Sequence, residues 1–261
     1  MSSEDFPSGI AFVAGGSGGI GGAIVEAFAR AGSDVVFTYR NGAERAEQVR
    51  ARASAHGVKV EARQVLLEEP ATLTAALDQV AASGRPIHSF VYASGPRIKV
   101  GYVSDLEVED WRFALSHDSE ACFTFAKAAI AFLKAHPAGA DSAGSITAIT
   151  SSQRFKPEVR GVLSAAPKAA IEALFMAIAK ENARFGIRAN IIQSGWVAAG
   201  QIGDGMEGQL NGEAMKSILG QIPMRRLGSP KEVAEGALFV SSARASFVTG
   251  ATLVIDGGMH L

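Results

Sequence analysis

A chain of 261 residues, 48% apolar and 20% charged with a formal net charge of −1, has ample material for a large buried core. Its charge balance gives no basic footprint for nucleic acid or an anionic membrane, and its single cysteine, Cys122, excludes an internal disulfide framework. No apolar run approaches the ~20 residues that span a bilayer, and the first nine residues lack the basic and apolar regions of a signal peptide, so a cytoplasmic setting is expected.

In chain order, the apolar run Ile10–Val13 leads into Ala14-Gly-Gly-Ser-Gly-Gly-Ile-Gly21, with the amphipathic stretch Ile20–Arg30 behind it. A strand, a glycine-rich turn and a helix make a phosphate cradle, because glycines permit close backbone approach and a helix N-terminus offers open N–H groups to an anion. Asp34–Tyr39 reads as a buried strand, Asn41–His56 as a polar helix, and Val58–Leu66 as a third strand. Ala71–Ala82 follows as a helix, and Ile87–Ala93 as a fourth strand closing on Ser94-Gly95-Pro96. Val108–Ala135 is a long helical stretch stopped by Pro137, Ser145–Thr150 a fifth strand, and Ser164–Phe185 a second long helix capped by Gly186. Ile187–Gln193 is the sixth strand. Trp196–Gly220, with six glycines, reads as a mobile substrate lid holding a short helix. Lys231–Ser241 is the last helix and Ala251–Ile255 the last strand. Alternating strands and helices predict right-handed βαβ units: one α/β domain over residues 1–261, a Rossmann-type doubly wound parallel sheet of about seven strands with helices on both faces.

The spacing Gly15-x-x-x-Gly19-x-Gly21 resembles the glycine turn of the short-chain dehydrogenases/reductases, with Ala14 where that family usually carries Thr. Gly186–Asn190, Arg226–Val233 and Thr249–Gly258 look like the family's later blocks, in order and at its spacing. The resemblance implies a nicotinamide dinucleotide held by Gly15, Ser17, Gly19, Ile20 and Gly21, by Arg40 and Asn41 at the end of the second strand, and beside Leu66. Ala93, Ser94, Gly95, Lys168, Gly195 and Val197 complete that implied cofactor site. Thr38-Tyr39-Arg40-Asn41 holds no carboxylate, and a guanidinium suits a phosphate dianion, so Arg40 argues for NADP(H). Departures from the family pattern are Leu66 for Asp, Tyr92-Ala-Ser-Gly95 for Asn-Asn-Ala-Gly, Ser194 for Pro, and Ala199 for Thr.

The family's catalytic set is a Ser, a Tyr-x-x-x-Lys pair and an Asn. Lys168 fits the Lys position, Ser151 the Ser, and Asp118 the Asn, but Ser164 stands where the Tyr belongs. The implied catalytic set is therefore Ser151, Ser164, Lys168 and Asp118, with no metal. A phenol of pKa about 10 is tuned toward neutrality by a nearby ammonium, whereas an aliphatic hydroxyl is a shorter and far weaker acid. Tyr92 and Tyr102 are the other phenols expected near the site, Tyr102 as a packing aromatic. His117 should point away from Asp118, and Cys122 reads as a small core residue.

The expected activity is NADPH-dependent reduction of a small carbonyl substrate, of the quinone or aromatic polyketide kind, with an atypical proton donor. The alternatives are a catalytically silent cofactor-binding or regulatory protein, and a lyase or isomerase using Lys168 or Asp118 as base. Trp196, Ile202, Met206 and Leu210 either cover a flat apolar substrate or close the core. Ala121–Ile130 and Ala169–Ile178 are apolar around much of their circumference, which predicts a homo-oligomer, a tetramer or a dimer.

Overall fold

The computed structural model describes residues 5–140, 142–154, 156, 158–199 and 212–261. The strands are β1 (Ile10–Ala14), β2 (Asp34–Tyr39), β3 (Val60–Gln64), β4 (Ile87–Tyr92), β5 (Gly144–Ser151), β6 (Ile187–Ser194) and β7 (Thr252–Ile255). Between them run α1 (Gly19–Arg30), α2 (Ala43–Ser54), α3 (Pro70–Ala81), α4 (Val108–Ala114), α5 (Ala121–Ala135), α6 (Val162–Asn182), α7 (Gly212–Gln221) and α8 (Pro230–Ser241). All seven strands are parallel in one sheet, ordered β3-β2-β1-β4-β5-β6-β7. Winding therefore reverses between β1 and β4, and the carboxyl ends of those strands open a crevice there.

Strand periodicity divides the core into two layers. Along β1, Phe12 and Ala14 join one apolar cluster, while Ala11 and Val13 join the other. The first layer buries Leu73 and Leu77 of α3, Phe125 and Phe132 of α5, and Ile171 and Phe175 of α6. The second buries Ile24 and Phe28 of α1, Val49 of α2, and Val233 and Leu238 of α8. At α8 the start is set by chemistry: Ser229 and Glu232 form a reciprocal capping box with Pro230 behind the cap. Arg226 and that cap hold the Glu232 carboxyl down at about 2.

Three expectations need correction. The third strand ends at Gln64, short of Leu66, because the Leu66 N–H and carbonyl both turn to the Thr72 hydroxyl. The long stretch before Pro137 is not one regular helix. Between α4 and α5, residues Leu115–Glu120 form a π turn, which widens the ladder by one residue. Finally, Val162–Phe185 has a mean hydropathy of 1.6 over its most apolar window, enough by length and composition to cross a bilayer. It instead packs on β5 and β6 within the first layer, beside α5.

Within α6 a buried carboxylate fixes the helix to the sheet. Glu172 accepts from Thr150 Oγ1 of β5 at 2.9 Å and Gln193 Nε2 of β6 at 2.7 Å, and pairs with Arg154 Nε at 3.0 Å. These partners replace the hydration that burial removes. They also set the rotation of α6 one turn beyond Lys168.

His88 lies on β4 among Phe6 and Phe28, with Nδ1 against Ser89 Oγ at 2.9 Å and Nε2 without a partner. Burial lowers its pKa from 6.5 to about 4. The unfolded chain takes up this proton below pH 6.5 while the folded ring stays neutral down to about 4, so stability falls as pH drops through that window. Between pH 7 and 5 this one group removes about 2 kcal/mol. Urea unfolding at the two pH values is expected to show a loss smaller by that amount in His88→Leu; equal losses in both proteins contradict it.

Candidate active site

The turn between β1 and α1 is shaped so tightly that side chains do not fit. Gly15 has φ of 78°, and a Cβ on Gly21 would lie 2.1 Å from the Gly15 carbonyl oxygen. A Cβ on Gly16 would meet Phe37 at 2.6 Å. The turn is tied to β2 by Gly16 N–H donating to the Thr38 carbonyl at 2.9 Å. Helix α1 starts at Gly19 with no side-chain cap and no acid in its first turn. Its first N–H groups are thus left for an anionic ligand.

In front of this turn lies a cleft of about 660 Å³ lined by Gly15, Ser17, Gly19, Ile20 and Gly21, by Arg40 and Asn41, and by Ala93, Ser94, Gly95 and Lys168. A cleft lined by a glycine turn and by guanidinium groups fits a nicotinamide dinucleotide. Arg40 is already engaged: its Nη2 pairs with Glu68 Oε1 at 2.5 Å, both groups partly exposed. Arg45 and Arg97 line the same cleft. Leu66 is not among its lining residues, and its N–H and carbonyl both bond the Thr72 hydroxyl.

A second cavity of about 340 Å³ opens on the other side of the same strand ends. Its walls are apolar at Ile98, Val100, Ile149 and Met259 and polar at Ser151, Ser164 and Glu158. Gly195 and Val197, expected beside the cofactor, line this smaller cavity rather than the cleft. Ala199 and Trp196 line it too, and Trp196 Nε1 donates to Glu158 Oε1 at 3.4 Å. Ile202, Met206 and Leu210, assigned to a lid over residues 196–220, lie outside the described residues. The two cavities share a common wall that runs from Ile20 through Ala93, Ser94, Gly95 and Ile98 to Ser164 and Lys168. Whatever occupies one can meet what occupies the other across Ser164 and Lys168.

At that wall Lys168 Nζ is 2.8 Å from Asp118 Oδ1, with the side chains 15% and 6% exposed, and 3.4 Å from the Ser94 carbonyl. Lys168 and Ser164 share α6, and Asp118 comes from the π turn. Ser151 ends β5, and its Oγ accepts the Gln153 N–H at 3.3 Å. The structure therefore gathers Ser151, Ser164 and Lys168 about one cavity. Asp118 belongs to the cofactor side, behind Lys168, and not beside Ser151.

The other candidate groups fall away. Tyr92 is fully buried, and its phenol donates to the Asp118 carbonyl at 2.9 Å. Burial and the Asp118 charge push that phenol well above its usual pKa. Tyr102 is 55% exposed beneath Arg160 and lines neither cavity. His117 stacks on Phe113 at 4.1 Å between ring centroids. Cys122 is buried, its thiol pushed up by burial first of all. Among the described residues no group of His, Cys, Asp and Glu is placed to hold a metal.

The fold and these paired cavities define a dinucleotide-binding oxidoreductase. A family profile described as Enoyl-(Acyl carrier protein) reductase matches residues 14–260, and the chain belongs to the short-chain dehydrogenase/reductase family. It is 31% identical to galactitol 2-dehydrogenase of Rhizobium johnstonii, over 95% of this chain and 93% of that one. It is 30% identical to the protein named inactive 2-(S)-hydroxypropyl-CoM dehydrogenase 2 of Xanthobacter autotrophicus, covering 90% and 99%. Among solved structures it resembles a short chain dehydrogenase from Burkholderia cenocepacia in complex with NADP, with TM-score 0.85, 27% identity, and coverage of 99% and 100%.

Sequence reasoning missed Arg45 at the cleft, Glu68 as the partner of Arg40, and the tie between Tyr92 and Asp118. Arg45 was within reach of it, since an Arg at the start of the helix after β2 faces the same end of the crevice as Arg40. Glu68 carries no such signal, because its place depends on the turn that Thr72 makes.

A methyl group at Gly21 cannot fit against the Gly15 carbonyl without displacing the turn. Gly21→Ala is therefore expected to abolish the rise in melting temperature that a nicotinamide dinucleotide gives the unaltered protein. An equal rise in both proteins would contradict the assignment of this turn as the cradle.

Proposed function

We propose that the chain is an NADPH-dependent carbonyl reductase with an atypical proton donor, acting on a flat, apolar substrate of the quinone or aromatic polyketide kind. The observation that carries this reading is the common wall: Ser164 and Lys168 face both the dinucleotide cleft and the smaller cavity. Arg40 and Arg45 hold the additional phosphate of NADP(H), the glycine turn holds the pyrophosphate, and Lys168 holds the nicotinamide ribose. Bound there, the reduced nicotinamide supplies hydride.

The chain's own residues do the rest. Ser151 Oγ donates to the substrate carbonyl oxygen and orients it. Ser164, shorter than a tyrosine, leaves space beside Ser151 in which both hydroxyls hold a water. That water passes a proton to the oxygen as charge develops there and regains one from bulk solvent, so that hydride and one solvent proton make the alcohol, while the Lys168 ammonium offsets the developing charge. Asp118 neutralises part of the Lys168 charge and keeps the chain of groups from carrying an unpaired buried cation. The apolar walls Ile98, Val100 and Ile149 suit a carbonyl already polarised by conjugation, which asks little of an acid.

A second reading, a silent dinucleotide-binding protein, is favoured by Ser164 at the usual tyrosine position and by the printed name of the Xanthobacter relative. Substitutions separate the two. Under the reductase reading Lys168→Ala damages both NADPH binding and turnover, Ser151→Ala mainly turnover, and Ser164→Ala little. Ser164→Tyr gains activity on simple ketones and loses it on bulky ones. NADPH binding with no turnover on a ketone and quinone panel, unchanged by all four, establishes the silent reading.

Cofactor preference follows from the same groups. Arg40→Ala is expected to raise the NADPH dissociation constant about tenfold and leave NADH nearly unchanged. Glu68→Gln, by releasing Arg40, is expected to tighten NADPH; fluorescence titration showing equal affinity for both cofactors in the unaltered protein contradicts the assignment.

The assembly proposed is a homo-oligomer. Phe123 of α5 and Met176 of α6 are more than half exposed, as are Phe247 and Leu261, leaving apolar surface on two faces. Light scattering is expected to give a dimer or tetramer at micromolar concentration, and a monomer there would refute it.

A further inference from the structure

Tyr92 is the one buried phenol at the site, and the proposed chemistry makes no use of it. It ends β4, directly below Ser94 and Gly95 of the common wall. Its hydroxyl donates to the main-chain carbonyl of Asp118 at 2.9 Å and lies 3.5 Å from Asp118 Oδ1. Its ring packs on Phe125 at 5.7 Å, and Lys168 Nζ sits 5.8 Å from the ring centroid. One side chain thus touches both members of the buried ion pair.

The backbone it holds is irregular. At the end of the π turn the Ala121 N–H lies toward both the Ser116 carbonyl, five residues back, and the Asp118 carbonyl. The Asp118 carbonyl also accepts the Tyr92 hydroxyl. That bond ties the turn to β4, and its loss frees the turn to redirect the Asp118 carboxylate. The ammonium of Lys168 would then lose a set distance from a group that is itself only 4% exposed.

We propose that Tyr92 is a positioning residue: by pinning the π turn it holds Asp118 against Lys168 and so sets the ammonium that receives the cofactor's ribose. The proposal rests on the dinucleotide-binding reading of the cleft. It accounts for two unusual residues at once, since a carboxylate at 118 needs a fixed backbone and a phenol at 92 supplies it. No proton leaves Tyr92 at any point, in keeping with a hydroxyl cut off from both cavities.

The test is Tyr92→Phe, which keeps the ring and removes only the hydroxyl, compared in the unaltered and Asp118→Asn backgrounds. In the unaltered background the NADPH dissociation constant, read by fluorescence titration, rises about fivefold. In Asp118→Asn the same change adds less than twofold, since the two residues act through one interaction. The cofactor-free protein gives a second readout. The ¹³Cε resonance of Lys168, assigned by its loss in Lys168→Arg, moves in Tyr92→Phe and does not move further when Asp118→Asn is already present. An unmoved resonance, or equal fold-changes in both backgrounds, overturns the proposal. If the unaltered protein binds neither NADPH nor NADH, the cofactor reading falls while the resonance still decides the positioning role.

Discussion

A lysine ammonium and an aspartate carboxylate, 2.8 Å apart and almost fully enclosed, stand at the point where the dinucleotide cleft meets the substrate cavity. Two charges held away from water are tolerated only with good geometry and further hydrogen bonds. The surrounding structure meets that demand. Glu172, bonded to Thr150 and Gln193, sets α6 on the sheet and hence the direction of Lys168. Tyr92 sets the π turn and hence Asp118. The reversal of winding between β1 and β4 places both at an open crevice rather than in the core.

The same constraint separates the two halves of the site. On the cofactor side, close backbone contact in the glycine turn and several guanidinium groups make a surface for an extended anion. On the other side, serine hydroxyls stand among apolar walls. Under the proposed reductase reading, a short side chain at 164 trades acid strength for room, as a substrate with a conjugated carbonyl would require. Under the same reading, the guanidinium at the end of β2 would exchange the Glu68 carboxylate for a phosphate when NADP(H) binds.

Much of the architecture was legible because periodicity and punctuation report burial directly. The buried apolar run Asp34–Tyr39 and the glycine turn before α1 were both read within a residue or so of their bounds. Lys168, Ser164 and Ser151 were placed by resemblance to the family's pattern, and the structure brings them to one cavity. What spacing does not carry is which helix turn widens and which distant residue fills the gap. Asp118 lies in the π turn, pairs with Lys168 and accepts from Tyr92, an arrangement that depends on packing between β4, α5 and α6. The turn after β3 is a similar case, since the Thr72 hydroxyl draws the Leu66 backbone out of the strand line.

On the proposed reductase reading, hydride crosses from the cleft to the cavity at the wall formed by Ser164 and Lys168. The most direct measurement uses NADPH deuterated at the transferable positions of the nicotinamide, incubated with the protein and a panel of quinones and conjugated ketones, with products read by mass spectrometry. The account predicts deuterium in the reduced product with the unaltered protein and none above background with Lys168→Ala. Saturating NADPH binding with no deuterium in any product, or undiminished transfer by Lys168→Ala, would contradict it.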